Sequence, residues 1–174
     1  MNTFQTRTGQ TIYVRSIQPE DIDFLIDIFD HMSSDSRYHR FNTPADNIPR
    51  ERVQEEARRI AEADPHVQYG LLALVRNDDD SYTAVGASRY MRVPDNPTTA
   101  EFATSVRDDY QRIGIGQKLL QLLIAQGQAN NVHRFISYVQ NNNDAAFALL
   151  RHAHVPHNRH IEDETMVIYL ELKE

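Results

Sequence analysis

The sequence predicts a mixed α/β fold, and three observations carry that expectation. Segments of apolar alternation are interleaved with segments whose apolar residues recur at helical spacing. One strand runs through a glycine turn into a helix and then into a further strand, the order of a parallel crossover. Two earlier β-rich runs are joined by a short polar turn, the mark of an antiparallel hairpin.

The elements follow in order. Residues 11–17 alternate Ile12, Val14 and Ser16 with Tyr13, Arg15 and Ile17, giving a first strand. Pro19 opens a helix with Ile22, Leu25, Ile26 and Phe29 on its apolar face and acidic residues in its first turn, where the helix dipole favours them. Residues 33–49 are polar, contain Pro44 and Pro49, and read as a long loop around a helical turn at 34–38. A second helix is expected over 49–63, on Val53, Ala57 and Ile60. Strands at 67–75 and 82–93 flank Asn77-Asp78-Asp79-Asp80, which has hairpin-turn chemistry, and Asp95-Asn96-Pro97 ends the second of them. A strand at 99–106 leads through Arg107-Asp108-Asp109-Tyr110 to Gly114 and Gly116. The helix beyond carries Ile115, Leu119, Leu122 and Leu123 as its buried stripe and ends near Asn130. Residues 133–140 read as a strand, 142–153 as a helix, and 165–172 as a final strand on Met166, Ile168, Leu170 and Leu172.

A chain of 174 residues, 40% hydrophobic and 25% charged, with no repeat or low-complexity tract, fits one domain over residues 1–174. The amino-terminal MNTFQTRTGQ lacks the apolar stretch of a secretory signal, and no run is long enough to cross a bilayer. A cytoplasmic location with no membrane partner is expected. Without cysteine there is no disulfide, thiolate nucleophile or thiolate-bound metal. A net charge of -7 opposes nucleic-acid binding and mildly favours amines or basic proteins.

The chemistry centres on the strand that enters the glycine turn. A helix that starts there leaves backbone N–H groups without intrahelical acceptors, a ready anion site. Gly114 and Gly116 remove side chains where phosphates approach. Two glycines alone serve close packing as readily, and neither the longer dinucleotide fingerprint nor the GxxxxGK[ST] pattern is present.

The stretch from Ala100 to Gly116, with Gln111-Arg112-Ile113-Gly114-Ile115-Gly116 as its Gln/Arg-x-x-Gly-x-Gly/Ala turn, resembles the signature of the GNAT superfamily of N-acetyltransferases. The order of elements agrees over nearly the whole chain. Ser33-Ser34-Asp35-Ser36-Arg37-Tyr38-His39-Arg40-Phe41 and Ala100-Glu101-Phe102-Ala103 further resemble the subgroup that includes bacterial protein lysine acetyltransferases.

The resemblance implies a mostly antiparallel sheet flanked by helices, with a splayed central parallel strand pair. It implies acetyl-CoA as the donor and direct transfer of an acetyl or short acyl group to a primary amine of a small molecule or protein lysine. Pantetheine would lie between the splayed strands against the backbone of Thr104, Ser105 and Val106. Gln111, Arg112, Ile113, Gly114, Ile115, Gly116 and Gln117 would surround the pyrophosphate, mainly through main-chain N–H groups. Asn143 matches the asparagine that opens the next helix beside pantetheine, and Phe147 would pack nearby or simply fill core.

Leu150 stands where the family's acid tyrosine is usual, and His154-Val155 replaces its Gly-Phe. CoA thiolate would leave with another donor, a water or no protein acid. An ammonium with a pKa of about 10.4 attacks only after losing its proton, so a base is needed. Glu101 resembles the subgroup's glutamate, and burial in a cleft would raise its pKa toward a useful range. A solvated or arginine-paired strand carboxylate is the alternative for this residue. Asp108 and Asp109 read as solvated loop residues. His152, His154, His157 and His160 read as surface histidines rather than a metal site. An acyl-CoA-binding sensor or interaction domain is the rival function. The sequence carries no signature for the acceptor, and a homodimer is compatible with it.

Overall fold

The computed structural model describes residues 1–41, 48–151, 153–162 and 165–172. Its sheet of eight strands runs β1-β2-β3-β4-β5-β6-β8-β7. The strands are β1 Asn2–Gln5, β2 Thr11–Ser16, β3 Gln68–Arg76, β4 Tyr82–Val93, β5 Asn96–Val106, β6 Arg134–Gln140, β7 His157–Glu162 and β8 Thr165–Glu171. The helices are α1 Ile22–Asp30, α2 Ser34–Phe41, α3 Arg50–Ala61, α4 Ile115–Ala129 and α5 Asp144–Leu150. Every strand pair is antiparallel except β5 with β6, which are parallel because α4 carries the chain back across the sheet.

Several expectations are corrected. The amino-terminal segment forms β1, a mostly exposed strand that closes a hairpin with β2 through Gly9 at φ 83°. The helical turn expected at 34–38 extends to Phe41, whereas residues 42–47 of the same segment lie outside the described residues. Asn96 and Pro97 begin β5 instead of ending β4, since proline at a strand's start removes no ladder bond in the interior. The helix expected over 142–153 is confined to Asp144–Leu150.

Two apolar layers hold the helices to opposite faces of the sheet. On one face Leu25, Ile26 and Ile28 of α1 and Val53 and Ala57 of α3 bury against Leu72 and Leu74. On the other, Ile115, Leu119 and Leu123 of α4 meet Tyr90, Phe102 and Phe135. The buried stripe of α4 includes Leu120 and Ile124, while Leu122 is only half-buried, a correction that rotates the expected stripe around the helix.

Phe135 is fully buried and packs 5.3 Å from Tyr90 and 5.5 Å from Phe102, measured between ring centroids. Gly127 lets α4 approach this cluster, because a Cβ there would lie 2.8 Å from Phe135 Cζ. Helix propensity favours alanine by about 1 kcal/mol. Overpacking a rigid aromatic core costs about 1–3 kcal/mol. The overpacking term wins, and Gly127→Ala is expected to lower stability by about 1–2 kcal/mol in urea unfolding.

Candidate active site

The parallel ladder between β5 and β6 ends at Glu101 opposite Ile136, whereas β5 stays paired with β4 as far as Val106. Beyond Glu101 the ladder between β5 and β6 does not continue among the described residues, and the two strands splay. Alternation along this part of β5 sends side chains to opposite faces. Ala103 and Ser105 line a cavity on the side of α1 and α3. Thr104 bonds across to Ser88, Oγ1 to Oγ at 2.7 Å, and Val106 packs toward α4.

At the end of β5 the chain is anchored before it turns. Arg107 is almost fully buried and donates to Asp27 of α1 at 2.9 Å and to both oxygens of Asp109 at 3.1 and 2.9 Å. Hydrogen bonding to this guanidinium holds the Asp109 carboxyl below its usual range. Asp108 accepts from the Ser33 amide at 3.2 Å and from Gln111 Nε2 at 3.0 Å. Both aspartates are exposed, as expected of solvated loop residues, and both also brace the turn.

Gln111 Nε2 also donates to the Val106 carbonyl at 3.1 Å and to Ser36 Oγ at 3.3 Å, so its side chain fixes the loop against α2. Arg112 adopts φ 64° and Gly114 φ 102°. Left-handed residues in such a turn form the backbone concavities that bind anions. The amides of Arg112, Gly114, Ile115, Gly116 and Gln117 have no acceptor among the described residues, and the first bond of α4 runs from the Lys118 amide to the Gly114 carbonyl at 3.1 Å. Sequence reasoning located these amides but had no signal for the left-handed Arg112. From the amino-terminal hairpin, the Arg7 amide donates to the Ile113 carbonyl at 3.0 Å, and its Nη2 reaches Gln117 Oε1 at 3.5 Å.

On the far arm of the splay, Asn143 caps α5 by accepting from the Ala146 amide at 3.0 Å. Phe147 is half-buried against the core with Arg159 5.7 Å above its ring. Leu150 is buried and apolar. Its neighbour Leu149 stands 3.8 Å from the Cβ position of Gly116, so α5 and the turn face each other across a short gap.

Glu101 is exposed, which corrects the expected burial. It sits at the last paired position of the parallel ladder and acts electrostatically on Arg59, Arg89 and Tyr138. Tyr138 lies on β6, its phenol pushed up by partial burial and then by Glu101. Among the described residues no group of three histidines, cysteines or carboxylates is arranged to hold a metal. His157 and His160 lie on exposed β7, with His160 stacked 5.3 Å from Tyr169, and His152 lies outside the described residues.

The cavity under α1 and α3 has a volume of about 930 Å³. Its wall is apolar through Leu25, Ile28, Phe29, Met32 and Val53, and Arg89 of β4 lies in its floor. Sequence reasoning passed over Arg89. Burial pulls its guanidinium below the ordinary value, and Glu56 and Glu101 partly oppose that effect.

A sheet splayed at one parallel pair, with a helix-start turn of unpartnered amides on one face and a cavity on the other, defines an acyltransferase class of architecture. Residues 11–155 match the acetyltransferase (GNAT) domain family, and the chain belongs to that family, whose acyl donor is acetyl-CoA. It is 30% identical over 142 residues to Acetyltransferase Pat of Mycolicibacterium smegmatis, covering 81% of this chain. The chain spans 40% of that relative's length. The GNAT domain of S. lividans PAT superposes with a TM-score of 0.82 at 23% identity, covering 98% of this chain and 96% of that one. YncA of Salmonella typhimurium, an acetyltransferase-like protein solved with acetyl-CoA, superposes with a TM-score of 0.67 at 16% identity, covering 94% and 95% of the two chains. Among the described residues no helix is long and apolar enough to cross a membrane.

Proposed function

We propose that this chain transfers an acetyl or short acyl group from acyl-CoA to a primary amine. The observation that carries the reading is the set of amides of Arg112 and of residues 114–117, without acceptors among the described residues, just beyond β5 where its parallel ladder has ended. In this reading those amides take the diphosphate. Pantetheine lies along β5 at Thr104, Ser105 and Val106, past the end of the parallel ladder, as an extended chain lies along a strand. Asn143 holds the start of α5 beside it, and Phe147 backs that wall.

The amine enters from the cavity side, where Ala103 and Ser105 face it. Its nitrogen lone pair attacks the thioester carbonyl carbon, the C–S bond breaks, and sulfur leaves as CoA thiolate. Glu101 takes one proton from the bound ammonium, directly or through a water, and the second N–H proton, released as the amide forms, passes to the departing thiolate or to water. The thiolate is a competent leaving group without a protein acid, which accommodates Leu150 at the position where the family's tyrosine is usual. The acceptor class at this level includes small amines and protein lysines.

Titration calorimetry with acetyl-CoA and release of CoA thiol across a panel of amines and peptides test the proposal. Saturable binding with CoA release from at least one amine is expected, and absence of binding would overturn it. A second reading is favoured by buried, apolar Leu150: the chain binds acyl-CoA as a sensor or interaction domain. Tight binding without thiol release from any acceptor would select it.

A further inference from the structure

Resting on that reading, we infer that the acceptor carries a carboxylate besides its primary amine, and that Arg89 is the residue that binds it. Arg89 pairs in register with Ala103, the β5 residue that faces the cavity at the splay. Directly opposed residues of an antiparallel pair hold their Cβ atoms about 5 Å apart, so the guanidinium serves the same chamber as the attacking nitrogen.

The pairing of this guanidinium is incomplete. Its side chain is only 15% exposed. Nη1 donates at 3.0 Å to Gln68 Oε1, a neutral acceptor. Nη2 lies 3.4 Å from Glu56 Oε1, an oxygen that Arg59 already holds at 2.7 Å. Nε is buried with no acceptor among the described residues. Arg59 takes both carboxylate oxygens of Glu56, at 2.8 and 2.7 Å, so the one carboxylate paired with Arg89 is shared between two guanidinium groups.

A buried cation that shares its one carboxylate with a second guanidinium is unfavourable unless a further anion completes it. Among the described residues the cavity's charged lining is Arg52, Arg59 and Arg89 against Glu55 and Glu56, an excess of one positive charge that favours an incoming carboxylate. Glu101 on the neighbouring strand offers the opposite charge to the ammonium end. The apolar wall formed by Phe29, Met32 and Val53 suits a hydrophobic side chain. Together these features fit a zwitterion with an apolar body, the chemistry of a free amino acid. A lysine within a protein chain carries no carboxylate of its own, since its carbonyl is an amide four methylenes away from the nitrogen.

Binding measured directly keeps the test independent of amine basicity and of catalysis. L-phenylalanine, phenylalaninamide and phenethylamine are titrated against the full chain by ligand-observed NMR, in the presence and absence of CoA. Phenylalanine is expected to bind at least about 30-fold more tightly than the amide, the scale of a charge-assisted bidentate pair in a desolvated site. Arg89→Gln is expected to reduce that ratio to below about threefold, and Arg89→Lys to retain part of it, with acetyl-CoA affinity unchanged in both. Equal binding of acid and amide by the parent chain would overturn the assignment, as would an unchanged ratio in folded Arg89→Gln. Preferential binding of an acetyl-acceptor lysine peptide over free phenylalanine would also overturn it. Loss of acetyl-CoA binding by the parent chain, with the acid-over-amide preference intact, would sink the acyltransfer reading and leave the carboxylate site standing.

Discussion

Gly116→Glu is expected to bind acetyl-CoA at least about 100-fold more weakly than the parent chain, while unfolding at nearly the same temperature. A Cβ at this position meets Val106 Cγ2 at 3.6 Å and Leu149 Cδ1 at 3.8 Å, which are ordinary contacts, and the backbone there is not left-handed. The substitution therefore strains little in the empty protein. Its carboxylate instead extends from the first turn of α4 into the space where the amides converge. Two like charges 4 Å apart at an effective dielectric constant of 20 repel by about 4 kcal/mol. Screening reduces this, and a hundredfold loss requires only about 2.7 kcal/mol.

Gly116→Ala supplies the control, since it adds the tolerated Cβ without charge and is expected to bind within about threefold of the parent chain. Gly114→Ala separates a different cause. Nothing lies within 4 Å of its Cβ, but φ is 102°, so the cost of about 1–2 kcal/mol falls on backbone conformation instead of charge. Titration calorimetry and thermal unfolding on the three variants distinguish these effects. Parent-like affinity in Gly116→Glu would remove the turn from the donor site.

Much of this was legible because the relevant signals are local. Alternation in β2 and β8, the β-rich run of β4 and the glycines that open α4 are carried by neighbouring residues, and their bounds agree with the structure to within a few positions. The parallel pairing of β5 and β6 followed from the strand, turn, helix, strand order. β1 was not legible, since Asn2–Gln5 has little apolar content and exists by pairing with β2. The depth of α4 was misjudged for a related reason: Leu120 is buried by neighbours on a second side, which no single-stripe pattern encodes.

The candidate site divides in the same way. Main-chain donors depend on turn geometry, which glycine advertises, and the unpartnered amides lie where the sequence placed the turn. Side-chain electrostatics depend on what packs above the sheet. Arg89 lies among Ser88, Tyr90 and Met91 in a strand whose alternation alone does not reveal that α1 and α3 cover its face. Glu101 was expected in a cleft, yet the strands only begin to part at its position and leave the carboxylate exposed.

That exposure sharpens the second large effect, a reduction in kcat of about 100-fold in Glu101→Gln with acetyl-CoA affinity unchanged. The glutamine keeps the shape and hydrogen-bonding reach of the side chain at the last ladder position and removes only its capacity to accept a proton. The amine must then arrive already deprotonated. For an acceptor with a pKa of about 10.4, the reactive fraction grows tenfold for each pH unit near neutrality, so the variant's log kcat/KM is expected to rise with unit slope from pH 7 to 9. The parent chain is expected to show a shallower rise, because its carboxylate takes the proton within the complex. A positioning role would lower the variant's rate by a constant factor at every pH and leave the slopes equal. Equal slopes, or a Glu101→Gln variant with full turnover, would move the base elsewhere on the splay, with Tyr138 on the opposite arm as the next residue to substitute.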